Sequence, residues 1–178
     1  VKVEPLISSF KSIGLTLMGC MLLSSAAHAQ SRNETAAEVA ATQEGNRQAL
    51  DEIASALAAM TDAWRRADFV GSNRWMSQTG WYTFNGKRQP MAEFLDRAKA
   101  NPSFGFAGQW ISDFDVRYDV LAPSVIVTTW ENDFARIMPD GTRGPVENAL
   151  MTLVWSKTPA GWRIVHYHES TRLKDAVQ

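Results

Sequence analysis

Three observations predict an α+β domain in which a bent antiparallel sheet wraps as a cone around a long N-terminal helix. Leu50, Ile53, Leu57, Met60, Trp64 and Ala67 recur at steps of three and four, which lays one apolar stripe along about six helical turns. A second apolar pattern at helical spacing lies in "PMAEFLDRAKANP". After Gly105 the chain turns to alternating, β-rich segments separated by short turns, the signature of an antiparallel meander. The predicted order is α-α-β-α-β-β-β-β, and the single helical layer leaves the cone half open, a shape that commonly holds a pocket.

The first 29 residues read as an export leader. Lys2 and Lys11 give a positive start, Ile13 to Leu23 form a short apolar core, and "AHA" at 27–29 places small side chains at a cleavage site. The core is shorter than the roughly 20 apolar residues that span a bilayer. Apolar "MLLSSAA" after Cys20 argues against a lipid-anchored cysteine. Cleavage after Ala29 is expected, with a periplasmic or secreted product that keeps no membrane attachment. Residues 30–45 are polar and alanine-rich, too poor in large apolar groups to bury much area, and read as a linker or frayed helical lead-in. The domain proper is expected over 46–172, with a tail at 173–178.

Asp68 follows the long helix directly. A carboxylate is favourable at a helix N-terminus and unfavourable at a C-terminus, so Asp68 is expected to cap a short second helix reaching Trp75. "WYTFNGKRQ" reads as a strand entering an Asn85-Gly86 hairpin turn. Pro90 opens the third helix, which buries Met91, Phe94, Leu95 and Ala98 and stops at Asn101-Pro102. Trp110, Phe114, Val116, Tyr118 and Val120 then alternate with polar residues in one half-buried strand. "VIVTTWENDFARI", "NALMTLVWS" and "GWRIVHYHEST" supply three more.

Without the leader, Lys2, Lys11 and Glu4 are lost and the net charge moves from −1 to −2. That balance favours neither nucleic acid nor an anionic membrane. Cys20, the one cysteine, leaves with the leader, which excludes a disulfide, a thiolate metal site and a cysteine nucleophile from the mature protein. The seven tryptophans fall between Trp64 and Trp162, a density suited to one core and a lined cavity.

The element order and the ending Gly161-Trp162, Ile164, His166, His168, Ser170, a W-x-I-x-H-x-H-x-S pattern, resemble the SnoaL-like group of the nuclear transport factor 2-like (ketosteroid isomerase-like) superfamily over residues 46–172. A similar ending closes the association domain of calcium/calmodulin-dependent kinase II. The resemblance implies a pocket for a small, mostly apolar molecule, with cofactor-free isomerase, cyclase or dehydratase chemistry or with none. The alternative is a non-catalytic oligomerisation or protein-binding module with structural histidines. Relatives commonly pair through the outer sheet face. The penultimate strand is apolar on both sides, Leu150 and Val154 against Met151, Leu153 and Trp155, so a homodimer is expected.

The chemistry turns on the last strand. A spacing of two places His166 and His168 on one face, about 6.6 Å apart at about 3.3 Å per residue. Trp162 and Ile164 share that parity and favour the histidine face as the buried one, whereas the kinase-domain resemblance points the face of Tyr167 and Glu169 at the pocket. With the histidine face inward, one imidazole, of ordinary pKa about 6.5, would move a proton while the other or Tyr82 polarised a carbonyl. The catalytic candidates are therefore His166, His168 and Tyr82, and the candidate ligand contacts are Trp64, Trp110, Trp130, Tyr167 and Glu169. The competing reading makes both rings satisfied polar members of a core or interface. The carboxylates of Glu131, Asp133 and Glu169 would have to complete a zinc site without a Cys or a third His, and neither metal nor cofactor is expected.

Overall fold

The computed structural model describes residues 25–174, with side chains described from residue 43. The chain divides into two compact units, Val1–Val39 and Ala40–Gln178. The expected leader, but for its last five residues, lies outside the described residues, as does the tail beyond Lys174. Helix α1 is assigned to Ser25–Arg65. The segment 30–45 is thus helical, as its alanine content favours.

In the second unit, α1 is followed by α2 (Phe69–Ser72), a 3-10 turn (Asn73–Trp75), β1 (Met76–Phe84), β2 (Lys87–Pro90), α3 (Met91–Ala100), β3 (Gly108–Ile111), β4 (Arg117–Ala122), β5 (Val125–Ile137), β6 (Glu147–Thr158) and β7 (Gly161–Leu173). The apolar stripe of α1 is seated in the core, centred on Ile53 and Met60, both fully buried. Asp68 caps α2 by accepting a hydrogen bond from the Gly71 amide at 2.7 Å. Asn85 and Gly86 both take positive φ, the two-residue turn that joins β1 to β2 with Phe84 opposite Lys87. On α3, Met91, Phe94, Leu95 and Ala98 are the buried side chains.

The seven strands form one sheet in the order β2-β1-β7-β6-β5-β3, with β4 also paired to β5. It is mixed rather than wholly antiparallel. Strand β1 lies parallel to β7, because three antiparallel turns after α3 bring the C-terminal strand back beside the first hairpin. The expected strand over 110–120 is two strands, β3 and β4, each antiparallel to a different part of β5. Ser112 makes the break: its amide donates to the Asp133 carbonyl at 2.9 Å and its hydroxyl accepts from the Asp133 amide at 3.0 Å. Within β3 ordinary alternation buries Ile111 and leaves Trp110 38% exposed, so Trp110 does not share the core side of Phe114 and Val116.

A second irregularity has wider effect. Trp155 pairs with Ile164 and Val154 with His166, leaving Val165 as an extra residue in β7, a β-bulge. The register of β1 on β7 shifts in the same region, between Met76 and Trp81. Gly80 lies against the bulge so closely that a Cβ there would fall 2.5 Å from the Val165 carbonyl oxygen. The bulge changes the parity of β7: Trp162 and Ile164 are buried before it, and Tyr167 after it. Beneath the bulge the core is solid, with the fully buried Trp155 indole donating to the fully buried Thr128 hydroxyl at 3.0 Å.

Gly80→Ala is expected to lower stability by about 1–3 kcal/mol through overpacking against the Val165 backbone, read as a lowered midpoint in urea unfolding. An unchanged midpoint would show that the bulge does not need the glycine.

Candidate functional site

A cavity of about 600 Å³ opens between the sheet and α1, α2 and α3, within the range that takes a small organic ligand. Its walls follow the two-residue period of the strands. Tyr82 and Phe84 come from β1, Lys87 and Gln89 from β2, Asn132, Phe134 and Arg136 from β5, Ala149 and Met151 from β6, and Tyr167 and Glu169 from β7. Helix α1 contributes Trp64 and α3 contributes Phe94 and Arg97.

One wall is a stack of rings. Phe94 lies flat on Tyr82, centroids 4.1 Å apart with 7° between planes. Tyr82 in turn stacks on Tyr167 at 5.1 Å, and the Tyr167 hydroxyl donates to a Glu169 carboxylate oxygen at 3.3 Å. Glu169 is half-buried and lines the cavity. Burial pushes its carboxyl pKa up to about 7, against the smaller opposing effects of the Tyr167 hydrogen bond and the Arg136 charge. Arg136 is itself ion-paired with Glu147 and packs over Phe106 and Phe134. Burial also raises the Tyr82 and Tyr167 phenols, the Glu169 charge adding to both, so both hydroxyls stay protonated donors.

The polar floor includes two buried amides. Asn132 accepts from the Trp130 indole at 3.0 Å and donates to the Asp133 carbonyl at 3.2 Å. Asn73, 5% exposed, takes the Ser72 hydroxyl on its carbonyl oxygen at 3.4 Å. Its amide nitrogen has no partner among the described residues. A buried donor of that kind is costly to leave unmade, and here it belongs to a cavity-lining side chain.

Of the candidates named from the sequence, Tyr82, Trp64, Tyr167 and Glu169 line this cavity. His166 and His168 do not. The parity argument from Trp162 and Ile164 fails because Val165 is a bulge, and past it the odd-numbered residues face inward. His166 sits on the outward sheet face beside Trp81 and Val154 in register. Its pKa is lowered by partial burial, then by His168 and Arg88. His168 meets the Ser170 hydroxyl at 3.1 Å and pairs across strands with Thr152 and Thr83. The face indicated by the resemblance to the kinase association domain is the one that lines the cavity.

Two tryptophans are also placed elsewhere. Trp110 is outward, its ring 4.0 Å below the Arg143 guanidinium, while its neighbours Gln109 and Ile111 line the cavity. Trp130 is core, 3% exposed and stacked on Phe114 at 5.6 Å; it lies one inward position short of Asn132. Glu131 and Asp133 bracket Asn132 and so point away from the cavity, Glu131 toward Arg172 and Asp133 toward Lys174 and Asn148. Lys174 and Asn148 hold the Asp133 carboxyl below its ordinary pKa. Among the described residues, no three His, Cys, Asp or Glu side chains are grouped to hold a metal ion. Arg97, Asn73, Phe134 and Arg136 were not among the candidates, and Phe94 was expected only as helix core. The period of two through Asn132, Phe134 and Arg136 was the available signal for the β5 set.

No protein-family model matches the chain, and no curated protein matches it by sequence. Solved structures do match. A nuclear transport factor 2-like superfamily protein from Salmonella enterica superposes with TM-score 0.60 at 18% identity, covering 74% of this chain and 96% of that one. A candidate scytalone dehydratase from Novosphingobium aromaticivorans gives 0.62 at 7% identity over 76% and 93%. A ketosteroid isomerase-like protein from Erwinia carotovora gives 0.55 at 14% identity over 68% and 95%. The chain has the nuclear transport factor 2-like fold.

The elevated Glu169 pKa makes stability depend on pH with a definite sign. Between the ordinary carboxyl value and about 7 the folded state retains a proton that the unfolded state has released, so stability is fully present below that window and declines as pH rises through it. The span corresponds to at most about 3 kcal/mol. Glu169→Gln should flatten this decline and exceed the native protein in stability above pH 7, as measured by urea unfolding across pH 4 to 8. A native profile already flat over that range would contradict the burial argument.

Proposed function

We propose that the cavity binds a small, mostly apolar molecule and moves a proton next to a carbonyl group on it. The observation that carries this reading is one carboxyl, Glu169, held near neutral pKa at the end of an aromatic stack and steadied by the Tyr167 hydroxyl. A base is most effective when its pKa lies near the working pH. In this scheme the Glu169 carboxylate removes a proton from the carbon beside the carbonyl. The Tyr82 hydroxyl, uncommitted among the described hydrogen bonds, donates to the carbonyl oxygen as charge develops there. Return of the proton to a different carbon completes an isomerisation, and its delivery to a departing hydroxyl releases water. The solved relatives named for isomerase and dehydratase activity support the class of reaction through shared fold alone.

We further propose that the protein is exported and works as a homodimer. The charged start, short apolar core and small-residue site of residues 1–29 support export. The outward sheet face supports pairing, because it leaves Leu150 45% and Trp81 41% exposed beside the half-buried Val154 and His166.

A simple probe of the chemistry is hydrogen–deuterium exchange at the methyl group of 2-acetylnaphthalene, followed by NMR in D2O. The native protein should accelerate it, with a rate rising through pH 7 as Glu169 ionises. Glu169→Gln should remove about a hundredfold or more of that acceleration, while His166→Ala and His168→Ala stay within about twofold, since neither ring lines the cavity. If native protein binds the ketone but gives no exchange above buffer, the site is a binding module without this chemistry. For the second proposal, protein recovered from an envelope fraction should begin at Gln30 by mass spectrometry and scatter light as a dimer that Leu150→Asp dissociates. An unprocessed chain, or a monomer at micromolar concentration, would refute its respective half.

A further inference from the structure

The cavity lining is unbalanced in charge. Its cationic side chains are Lys87, Arg88, Arg97 and Arg136, and its one carboxylate is Glu169. They are not equivalent. Arg136 is neutralised by Glu147. Arg88 alternates to the other side of β2, where its guanidinium lies 4.1 Å from the Trp81 ring centroid and its charge acts on His166. Lys87 and Arg97 remain. Lys87 has the same parity as Gln89, which is paired in register with the cavity-lining Tyr82. Arg97 donates to the neutral Gln89 amide oxygen at 2.9 Å and lies 6.0 Å from the Phe94 ring. Both are exposed at the rim, and among the described residues no carboxylate pairs with either.

An unopposed cation pair at the rim of an aromatic cavity gives nothing to a wholly neutral ligand, but it gives much to one with an anionic end. The ring stack fixes which end goes where. It runs from Arg97 over Phe94, Tyr82 and Tyr167 to Glu169. An anionic group beside Glu169 would be repelled by the carboxylate, whereas beside Lys87 and Arg97 it meets opposite charge. Building on the reading above, we propose that the ligand is an organic carboxylate with a flat apolar body: the head group rests between Lys87 and Arg97, the body lies along Phe94 and Tyr82, and the end remote from the head reaches Glu169. The unpartnered Asn73 amide donor is a further polar contact available to an oxygen on that body.

Three probes with one naphthalene body and different charge separate the possibilities: 2-naphthoate, neutral 2-acetylnaphthalene and 2-naphthylmethylammonium, each titrated calorimetrically into the full chain. The expected order is carboxylate tightest by tenfold or more, ketone next and ammonium weakest, with carboxylate affinity falling as salt is raised. Lys87→Met combined with Arg97→Met should remove the carboxylate's advantage over the ketone, the loss for the carboxylate exceeding any change for the ketone by tenfold or more; both residues are exposed, and an unaltered thermal midpoint would confirm an intact fold. Equal affinity for carboxylate and ketone, or carboxylate binding indifferent to the double substitution, overturns the anionic head group while the pocket reading stands. Binding of none of the three overturns the pocket reading and this inference with it.

Discussion

The extra residue at Val165 is the constraint on which the site depends. A strand that keeps strict alternation would carry Trp162 and Ile164 inward and then His166 and His168 after them. Inserting one unpaired residue between Ile164 and His166 exchanges the faces, so the hairpin end of β7 still buries its apolar pair while the far end delivers Tyr167 and Glu169 to the cavity. Gly80 on the neighbouring strand makes the bulge possible by leaving room for the Val165 carbonyl. Two backbone features on different strands thus decide which functional groups the fold presents.

The same strands divide the interior along their length. Toward the β6–β7 hairpin the inward positions are Ile126, Thr128, Leu153, Trp155 and Ile164, all essentially inaccessible, and close packing there resists deformation. Further along, the inward residues of β5 and β6 become Asn132, Phe134, Met151 and Ala149, and the space they leave is the cavity. Trp130 stands at the border, paired in register with Met151. The packed half holds the strands that carry Tyr167 and Glu169, so their spacing is set by rigid elements rather than by loops.

Glu169 is the group that a purely stability-driven fold would not keep. A half-buried carboxylate is disfavoured in its charged form. Only part of that penalty is offset, by the Tyr167 hydroxyl and by the Arg136 charge, and Glu147 draws much of the latter to itself. The outcome is a carboxyl that changes protonation near neutral pH. Perturbed groups of this kind gather at functional sites.

The sequence by itself determined the elements whose cause is local. The stripe on α1, the Asp68 cap, the Asn85-Gly86 turn and the buried face of α3 each follow from periodicity or turn chemistry within a dozen residues, and each is found where those rules put it. The tertiary structure decided what depends on pairing between distant strands. The parallel contact of β1 with β7, the break at Ser112 and the bulge at Val165 are properties of two chains of hydrogen bonds in register, and no single segment encodes its partner's register. Tyr82, Trp64, Tyr167 and Glu169 were legible as candidates because aromatic and acidic residues in this fold suggest a lined pocket. Periodicity alone did not separate Tyr167 and Glu169 from His166 and His168, because one residue of slip in a strand reverses every side chain beyond it.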